Sequence, residues 1–187
     1  MRLSVCLGVL SAVLLPTLAS AADPSKLSGI GDSISQGWGA NNFPGEHPEL
    51  GFGQGTDATV NSLYLRYKAK NAAMTKQFVS VSGAEMVGGR DNAAGQAARI
   101  CAMTAKPNRV VIELGGNDAL RGLPLAMTRD NLREMARMAK AAGARVLIAG
   151  MQVPPNYGRS YGDEFAGLFA AVAKEQGAAL VPFLLRG

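Results

Sequence analysis

Histidine is almost absent from this chain: His47 is the only one. It stands between Glu46 and Pro48 in a stretch rich in Gly, Pro and Asn, and reads as a solvated loop residue, not a metal ligand or a base. No metal and no cofactor is expected. Cysteine is nearly as scarce. Cys6 lies in an apolar leader and only Cys101 follows it, so the chain past the leader can form no internal disulfide even in an oxidising compartment. Aromatic residues make up 6% of the chain, with one tryptophan, while glycine is abundant at 23 residues. That balance suits a tightly turning α/β chain with small residues on its helices. Acidic residues are outnumbered, giving a net charge of +5, yet the basic residues are scattered and nowhere form a run interleaved with aromatics. Nucleic-acid binding is excluded on that ground.

Long hydrophobic runs are missing after the start of the chain. Met1-Arg2, the apolar run Leu3 to Leu18 and the small residues Ala19-Ser20-Ala21 have the three parts of a secretory signal peptide. The run is too short for a membrane span, and Cys6 does not lie in the small-residue cleavage context, so no stable membrane anchor is expected. Residues 1–21 are read as the leader and 22–187 as one domain of roughly 165 residues. The mature chain is expected to begin at Ala22, in the periplasm or outside the cell, as a monomer. No internal repeat or linker interrupts it.

What the domain does contain is a set of short strands ending in small polar residues. Leu27-Ser28-Gly29-Ile30 precedes Gly31-Asp32-Ser33-Ile34-Ser35. A serine hydroxyl is a poor nucleophile unless it is held at an exposed strand-to-helix turn, with a base beside it and N–H donors aimed at the developing oxyanion. Gly31 permits a tight turn. Taken alone, Gly-Asp-Ser reads more simply as a helix cap. The first strand is polar and glycine-broken where a central buried strand is usually aliphatic. Val79-Ser80-Val81-Ser82-Gly83 is a second short strand. Arg109 to Leu114 is a third, a β-branched run that delivers Gly115-Gly116-Asn117-Asp118 to the carboxyl edge of a sheet, where open α/β folds bind ligands. Arg145 to Gly150 and Ala179 to Phe183 complete five strands.

Periodicity places four helices between them. Val60, Leu63, Tyr64 and Tyr67 share one face, with Asp57 or Thr59 as cap; Ala94, Ala97, Ala98 and Cys101 share another after Asp91, with Cys101 as a core residue. Leu132, Met135, Ala136 and Ala139 mark a third helix opened by Thr128 and stopped by Gly143, and Phe165, Leu168, Phe169 and Val172 a fourth. Gln36 to Asp57 reads as a long surface loop beside Ser33. Its Gly51-Phe52-Gly53-Gln54-Gly55 is not a nucleotide cradle, since Pro44 to Pro48 precedes it where a strand is required, although a helix follows. Alternating strands and helices imply right-handed crossovers and a parallel sheet covered on both faces.

Serine after one strand, glycine after the next and Gly-x-Asn-Asp after a third resemble the block pattern of the SGNH, or GDSL-type, serine hydrolases. The resemblance implies a three-layer α/β/α sandwich with a flavodoxin-like parallel sheet of about five strands. It implies Ser33 as nucleophile, and an oxyanion hole made of the Ser33 and Gly83 N–H groups and the Asn117 side-chain amide. Glu113 to Gly122, Pro154-Pro155-Asn156-Tyr157-Gly158 and Leu180 to Phe183 resemble the exported bacterial arylesterase, acyl-CoA thioesterase and lysophospholipase group over about the last two-fifths of the chain; Gln36 to Arg109 is less similar. Within that group the matching Leu120, Pro154 and Tyr157 border the acyl chain, although Pro154-Pro155 reads equally as a stiff strand exit.

The family takes its base from an Asp-x-x-His motif after the fifth strand, and no such motif stands in these 187 residues. The expectation is a domain truncated at its C-terminus, without the catalytic Asp and His and without the closing helix. The function expected is an exported serine esterase or thioesterase acting on a small-molecule or lipid acyl ester. Carbohydrate O-acetylesterase is the alternative chemistry, and a non-catalytic remnant on the same fold the alternative class. A receiver-like signalling domain, suggested by Asp32 and Asp118 at strand ends, is disfavoured by the leader and the lack of an acidic cluster.

Overall fold

The computed structural model describes residues 24–42, 44–87 and 92–185. The leader read over 1–21, the helix start read at Asp91 and the Cys101 side chain lie outside them. Five strands, β1 (Lys26–Gly31), β2 (Thr75–Phe78), β3 (Arg109–Glu113), β4 (Arg145–Ala149) and β5 (Ala179–Val181), form one parallel sheet in the order β2-β1-β3-β4-β5. Five helices accompany them: α1 (Leu63–Lys70), α2 (Ala93–Ala102), α3 (Gly116–Leu120), α4 (Leu125–Ala141) and α5 (Arg159–Gln176). The expected three-layer α/β/α fold with five parallel strands is what forms.

The period-2 geometry of the strands divides the core in two. Ile30, Val110, Ile112, Leu114, Val146 and Ile148 face α2, α4 and α5, where Leu132, Met135, Phe165, Phe169 and Val172 are buried. Phe165 and Phe169 meet edge to face with ring centroids 5.1 Å apart. Leu27 and Val111 face the other way, with Tyr64 of α1 and Met74, and Phe52, Phe78 and Leu147 packed around them. Among the described residues no helix is long and apolar enough to cross a membrane.

Several local readings are corrected. Ser62, not Asp57 or Thr59, caps α1 by accepting the Leu65 N–H at 3.2 Å, and Val60 stays outside the helix; Asp57 instead accepts the Thr59 N–H at 2.8 Å in a local turn. Asn92 caps α2, whose inward face is Ala93, Gln96, Ala97 and Ile100, leaving Ala98 exposed. Thr128 does not open α4; the helix starts three residues earlier and buries Thr128 completely. The second strand ends at Phe78, but Val79 and Val81 still donate to Gly29 and Gly31 at 3.0 and 3.1 Å, so the ladder continues along β1. β4 and β5 also close earlier than read, and the short α3 was not anticipated.

The weakness read in β1 has a structural explanation. A Cβ on Gly29 would lie 2.2 Å from the Phe78 ring, and one on Gly53 would lie 2.9 Å from it. Glycine at both positions makes room for an aromatic on the neighbouring strand. The stretch Gly51 to Gly55 is therefore packed structure, with all three glycines buried, and no helix opens there, because α1 begins only at Leu63.

Candidate active site

β1, β3 and the extension of β2 end side by side, so their exit loops share one edge of the sheet. Ser33 lies on the first of these loops and is half-buried. The segment after it is a series of turns, with Gln36 donating to Asp32 and Trp38 to Ser33 at 3.2 and 3.0 Å; the strand-to-helix turn expected there is a strand-to-loop turn. Gly31 serves close approach. A Cβ at Gly31 would stand 2.1 Å from the Ser35 Oγ and 3.0 Å from the Glu113 Oε2.

Asn117 draws the three loops together. Its Nδ2 donates to the Asp32 Oδ2 and to the Ala84 carbonyl, both at 3.0 Å. The residues after Asn117 hold the Gly83 loop at two further points: the Met86 N–H reaches the Asp118 carboxylate at 3.0–3.1 Å, and Arg121 pairs with Glu85 at 3.1 Å. Gly83 is exposed with a φ of +81°, a conformation that glycine adopts at little cost. Among the described residues, neither the Ser33 N–H nor the Gly83 N–H finds an acceptor, and the Ser33 Oγ has no partner. Both hydrogens of the Asn117 amide, by contrast, are engaged.

Beneath this edge lies a set of buried polar groups that the motif reading missed. The Glu113 Oε2 accepts from the Asp32 N–H at 3.3 Å, the Ser35 N–H at 3.2 Å and the Ser35 Oγ at 2.7 Å. The Gln96 amide of α2 makes a two-way clamp on Gly31, accepting from its N–H and donating to its carbonyl, each at 2.9 Å. An acidic residue inside the run Val110 to Leu114 was the one available signal, since a carboxylate in a buried strand must find donors. Burial is also the largest influence on the acids here. It raises Asp32 to about 6, against the pull of the Ile34 N–H and the Glu113 side chain and with the Asp118 charge adding to the rise. Burial, reinforced by the Asp32 charge, holds the Glu113 carboxyl well above the usual range, and burial likewise raises Asp118.

Of the residues implied for the acyl chain, two meet: the Tyr157 hydroxyl donates to the Leu120 carbonyl at 3.0 Å. Pro154 is exposed and leads into the short 3-10 turn Pro155–Tyr157. His47 is not brought to Ser33. Its backbone N–H ties the loop to Gln36 at 2.9 Å, while its Nδ1 lies 3.3 Å from the Glu49 carboxylate. An apolar cavity of about 240 Å³ between α2 and α4, lined among others by Ile100, Val110, Met135 and Ala144, reaches Lys106 and Ala142 and touches none of Ser33, Gly83 and Asn117, so it is no part of this site.

The GDSL-like lipase/acylhydrolase family profile matches residues 30–187. Esterase TesA of Pseudomonas aeruginosa is 40% identical over 189 residues, covering 100% of this chain and 83% of that protein. The similarity thus runs along the whole chain and is not confined to the C-terminal part. The thioesterase 1/protease 1/lysophospholipase L1 of Escherichia coli K12 is 31% identical over 175 residues, covering 92% of this chain and 72% of that one. Among solved structures, AlinE4, an SGNH-hydrolase family esterase, superposes with a TM-score of 0.65 at 27% identity over 88% of this chain and 78% of its own. With the Ser33, Gly83 and Asn117 loops meeting at one sheet edge and a profile match from Ile30 onward, this chain belongs to the GDSL-like lipase/acylhydrolase family.

Proposed function

We propose that the chain is an exported acyl-ester hydrolase in which the Ser33 Oγ attacks the acyl carbonyl carbon. The Ser33 and Gly83 N–H groups and the Asn117 amide receive the oxyanion, and collapse of the tetrahedral intermediate expels an alcohol or thiol and leaves an acyl-Ser33 that water hydrolyses. Leu120, Pro154 and Tyr157 border the acyl chain. The observation that carries this reading is the Asn117 amide, which reaches the residue before Ser33 and the residue after Gly83 at 3.0 Å each. The names of the relatives, esterase and thioesterase or lysophospholipase, support an acyl ester or thioester as substrate. The leader Met1 to Ala21 supports export, and N-terminal sequencing of exported material is expected to start at Ala22; recovery from the cytoplasm with Met1 intact overturns that part.

A general base is the component that the described residues do not bring to Ser33, because the only histidine, His47, faces Asn41 and Glu49 and makes no contact with the Ser33 hydroxyl. Turnover by these 187 residues is expected to be residual, roughly 10³-fold over water from the hole and binding alone, and to rise when an Asp-x-x-His segment is appended. In that extended chain an organophosphonate is expected to label Ser33, Ser33→Ala to abolish the label, and Asn117→Ala to lower kcat on p-nitrophenyl esters by roughly 10²- to 10³-fold. Absence of label at Ser33 overturns the proposal and favours a non-catalytic domain on the same fold, the reading supported by the lack of any His47 contact with Ser33 among the described residues.

A further inference from the structure

The backbone from Gly31 to Trp38 leaves one amide without a partner. The Gly31 N–H donates to the Gln96 side chain, the Asp32 and Ser35 N–H groups to the Glu113 Oε2, and that of Ile34 to the Asp32 Oδ1, at 2.9–3.3 Å. Gln36, Gly37 and Trp38 donate to the carbonyls of Asp32, Ile34 and Ser33 at 3.0–3.2 Å. Among the described residues the Ser33 N–H alone in this run has no acceptor. Most of these bonds close within the turn itself. Three of the N–H groups are held from other elements, and Glu113 takes two of the three, on the residues either side of Ser33 and Ile34, together with the Ser35 hydroxyl at 2.7 Å. Glu113 is also the last residue of β3, four residues before Asn117.

A carboxyl is a costly side chain at that place. Val110, Val111, Ile112 and Leu114 beside it in sequence are buried aliphatics, and Glu113 is as fully buried as they are, with its Oε1 lacking any hydrogen-bond partner among the described residues. An orphaned buried oxygen costs stability, and a methionine would fill a similar volume without one. What an apolar side chain cannot do is gather three donors at one point. Burial, reinforced by the Asp32 charge, favours the protonated form of Glu113, so the group works through its acceptor oxygen. No contact joins it to the Ser33 hydroxyl, which leaves it a part in placing the turn and none in moving a proton. We propose that Glu113 is a positioning residue for the nucleophile: it seats the turn from beneath by the Asp32 and Ser35 amides, so that the Ser33 N–H is the one left for an oxyanion, in register with the Asn117 amide that follows the same strand. This deepens the acyl-ester reading and rests on it.

Glu113→Met removes the acceptor and keeps the volume, whereas Glu113→Gln keeps a neutral acceptor oxygen in nearly the same shape. Amide hydrogen exchange followed by NMR is expected to quicken roughly tenfold at Asp32 and Ser35 in Glu113→Met and to stay near the unaltered rate in Glu113→Gln, while Gly31, held by Gln96, changes little. Residual hydrolysis of p-nitrophenyl acetate is expected to lose about tenfold in kcat, with KM little changed, in Glu113→Met, a fraction of what a lost oxyanion donor costs, and to recover in Glu113→Gln. Val172→Ala, a core change on α5, is expected to lower the melting temperature without either effect, which separates positioning from general loss of stability. Should Glu113→Met not fold, Glu113→Asp, which withdraws the carboxyl by one methylene, is expected to show the same two losses. Asp32 and Ser35 amides that keep their protection, a loss in KM alone, a kcat that neither the Met nor the Asp variant lowers, or a loss that Gln does not recover overturns the inference. Ser33→Ala measured beside them tests the underlying reading: residual turnover that survives it removes the nucleophile, and the amide rates then decide the placing of the turn on their own.

Discussion

Asp32 is the residue on which the site's electrostatics turn. Its Oδ1 accepts the Ile34 N–H at 2.9 Å, closing the nucleophile turn, and its Oδ2 takes the Asn117 amide. The carboxyl is 2% exposed, and burial raises it from 3.8 to about 6. A folded-state value above the unfolded one means that the native protein holds the proton more tightly. The corresponding stability is fully present below pH 3.8 and is lost as pH rises through about 6. A shift of that size corresponds to roughly 3 kcal/mol. Glu113 acts in the same sense, whereas Asp57 and Glu134, held low by Thr59 and Arg137, lose their contribution as pH falls. The last two are surface groups, so their opposing slope is shallow. Thermal unfolding measured from pH 4 to pH 7 is expected to fall with pH, and Asp32→Asn to flatten that fall, whatever it does to the melting temperature at any one pH. An unchanged slope in the variant would remove Asp32 as its source. The same ionisation bears on function: charged Asp32 holds one hydrogen of Asn117, and that hydrogen is the one an oxyanion must recruit.

At the scale of the elements, β1 shows how far the sequence could be read. Leu27-Ser28-Gly29-Ile30 looks too polar and too flexible for a central strand, and nothing nearby in sequence explains it. The explanation lies 49 residues away, in a Phe78 ring that occupies the space a side chain at Gly29 would need. Gly29→Ala is therefore expected to destabilise by about 1–3 kcal/mol through overpacking. Phe78→Leu should recover part of that loss in the double variant, a coupling that separate single-site effects would not produce. Calorimetry of the four proteins decides it: strictly additive losses would mean that Gly29 is needed for its backbone and not for Phe78. Strongly periodic elements were legible. Phe165, Leu168, Phe169 and Val172 are all buried on α5, and Arg109 to Glu113 is the central strand that its β-branched run suggested. Ser33, Gly83 and Asn117 were legible as strand-end residues from their order alone. Glu113, Gln96 and Ser35 were not, because their partners are backbone groups on other strands and loops, set by register and not by any local pattern. The rotation of α2 was missed for a similar reason: Gln96 faces inward to clamp Gly31, so a polar residue occupies the face that an all-apolar stripe was expected to fill.

The molecule as a whole is built unevenly about its sheet. On one face α2, α4 and α5 bury a continuous core that spans Ile30 to Ala173; on the other, the buried cluster is Leu27, Tyr64, Met74 and Val111, under one eight-residue helix. The edge strand β2 has no fully buried residue. Local opening costs least where few apolar contacts and short elements must separate. Amides of α1 and β2 are therefore expected to exchange with deuterium through a partial opening. Those of β3, β4 and the middle of α5 should exchange only on global unfolding. Phe165→Ala, expected to cost about 3–5 kcal/mol, tests the division, because it should lower protection throughout the α5 face while changing the α1 and β2 amides far less until global unfolding becomes their easiest route. Equal protection of α1 and α5, falling in parallel in the variant, would mean that the two faces unfold as one unit. The division matters for the site, since Gln36, three residues beyond Ser33, is tied by its side chain to the Ser80 carbonyl just past β2. If the β2 edge opens first, it loosens the nucleophile loop while Asn117 stays anchored on the stable side, next to β3.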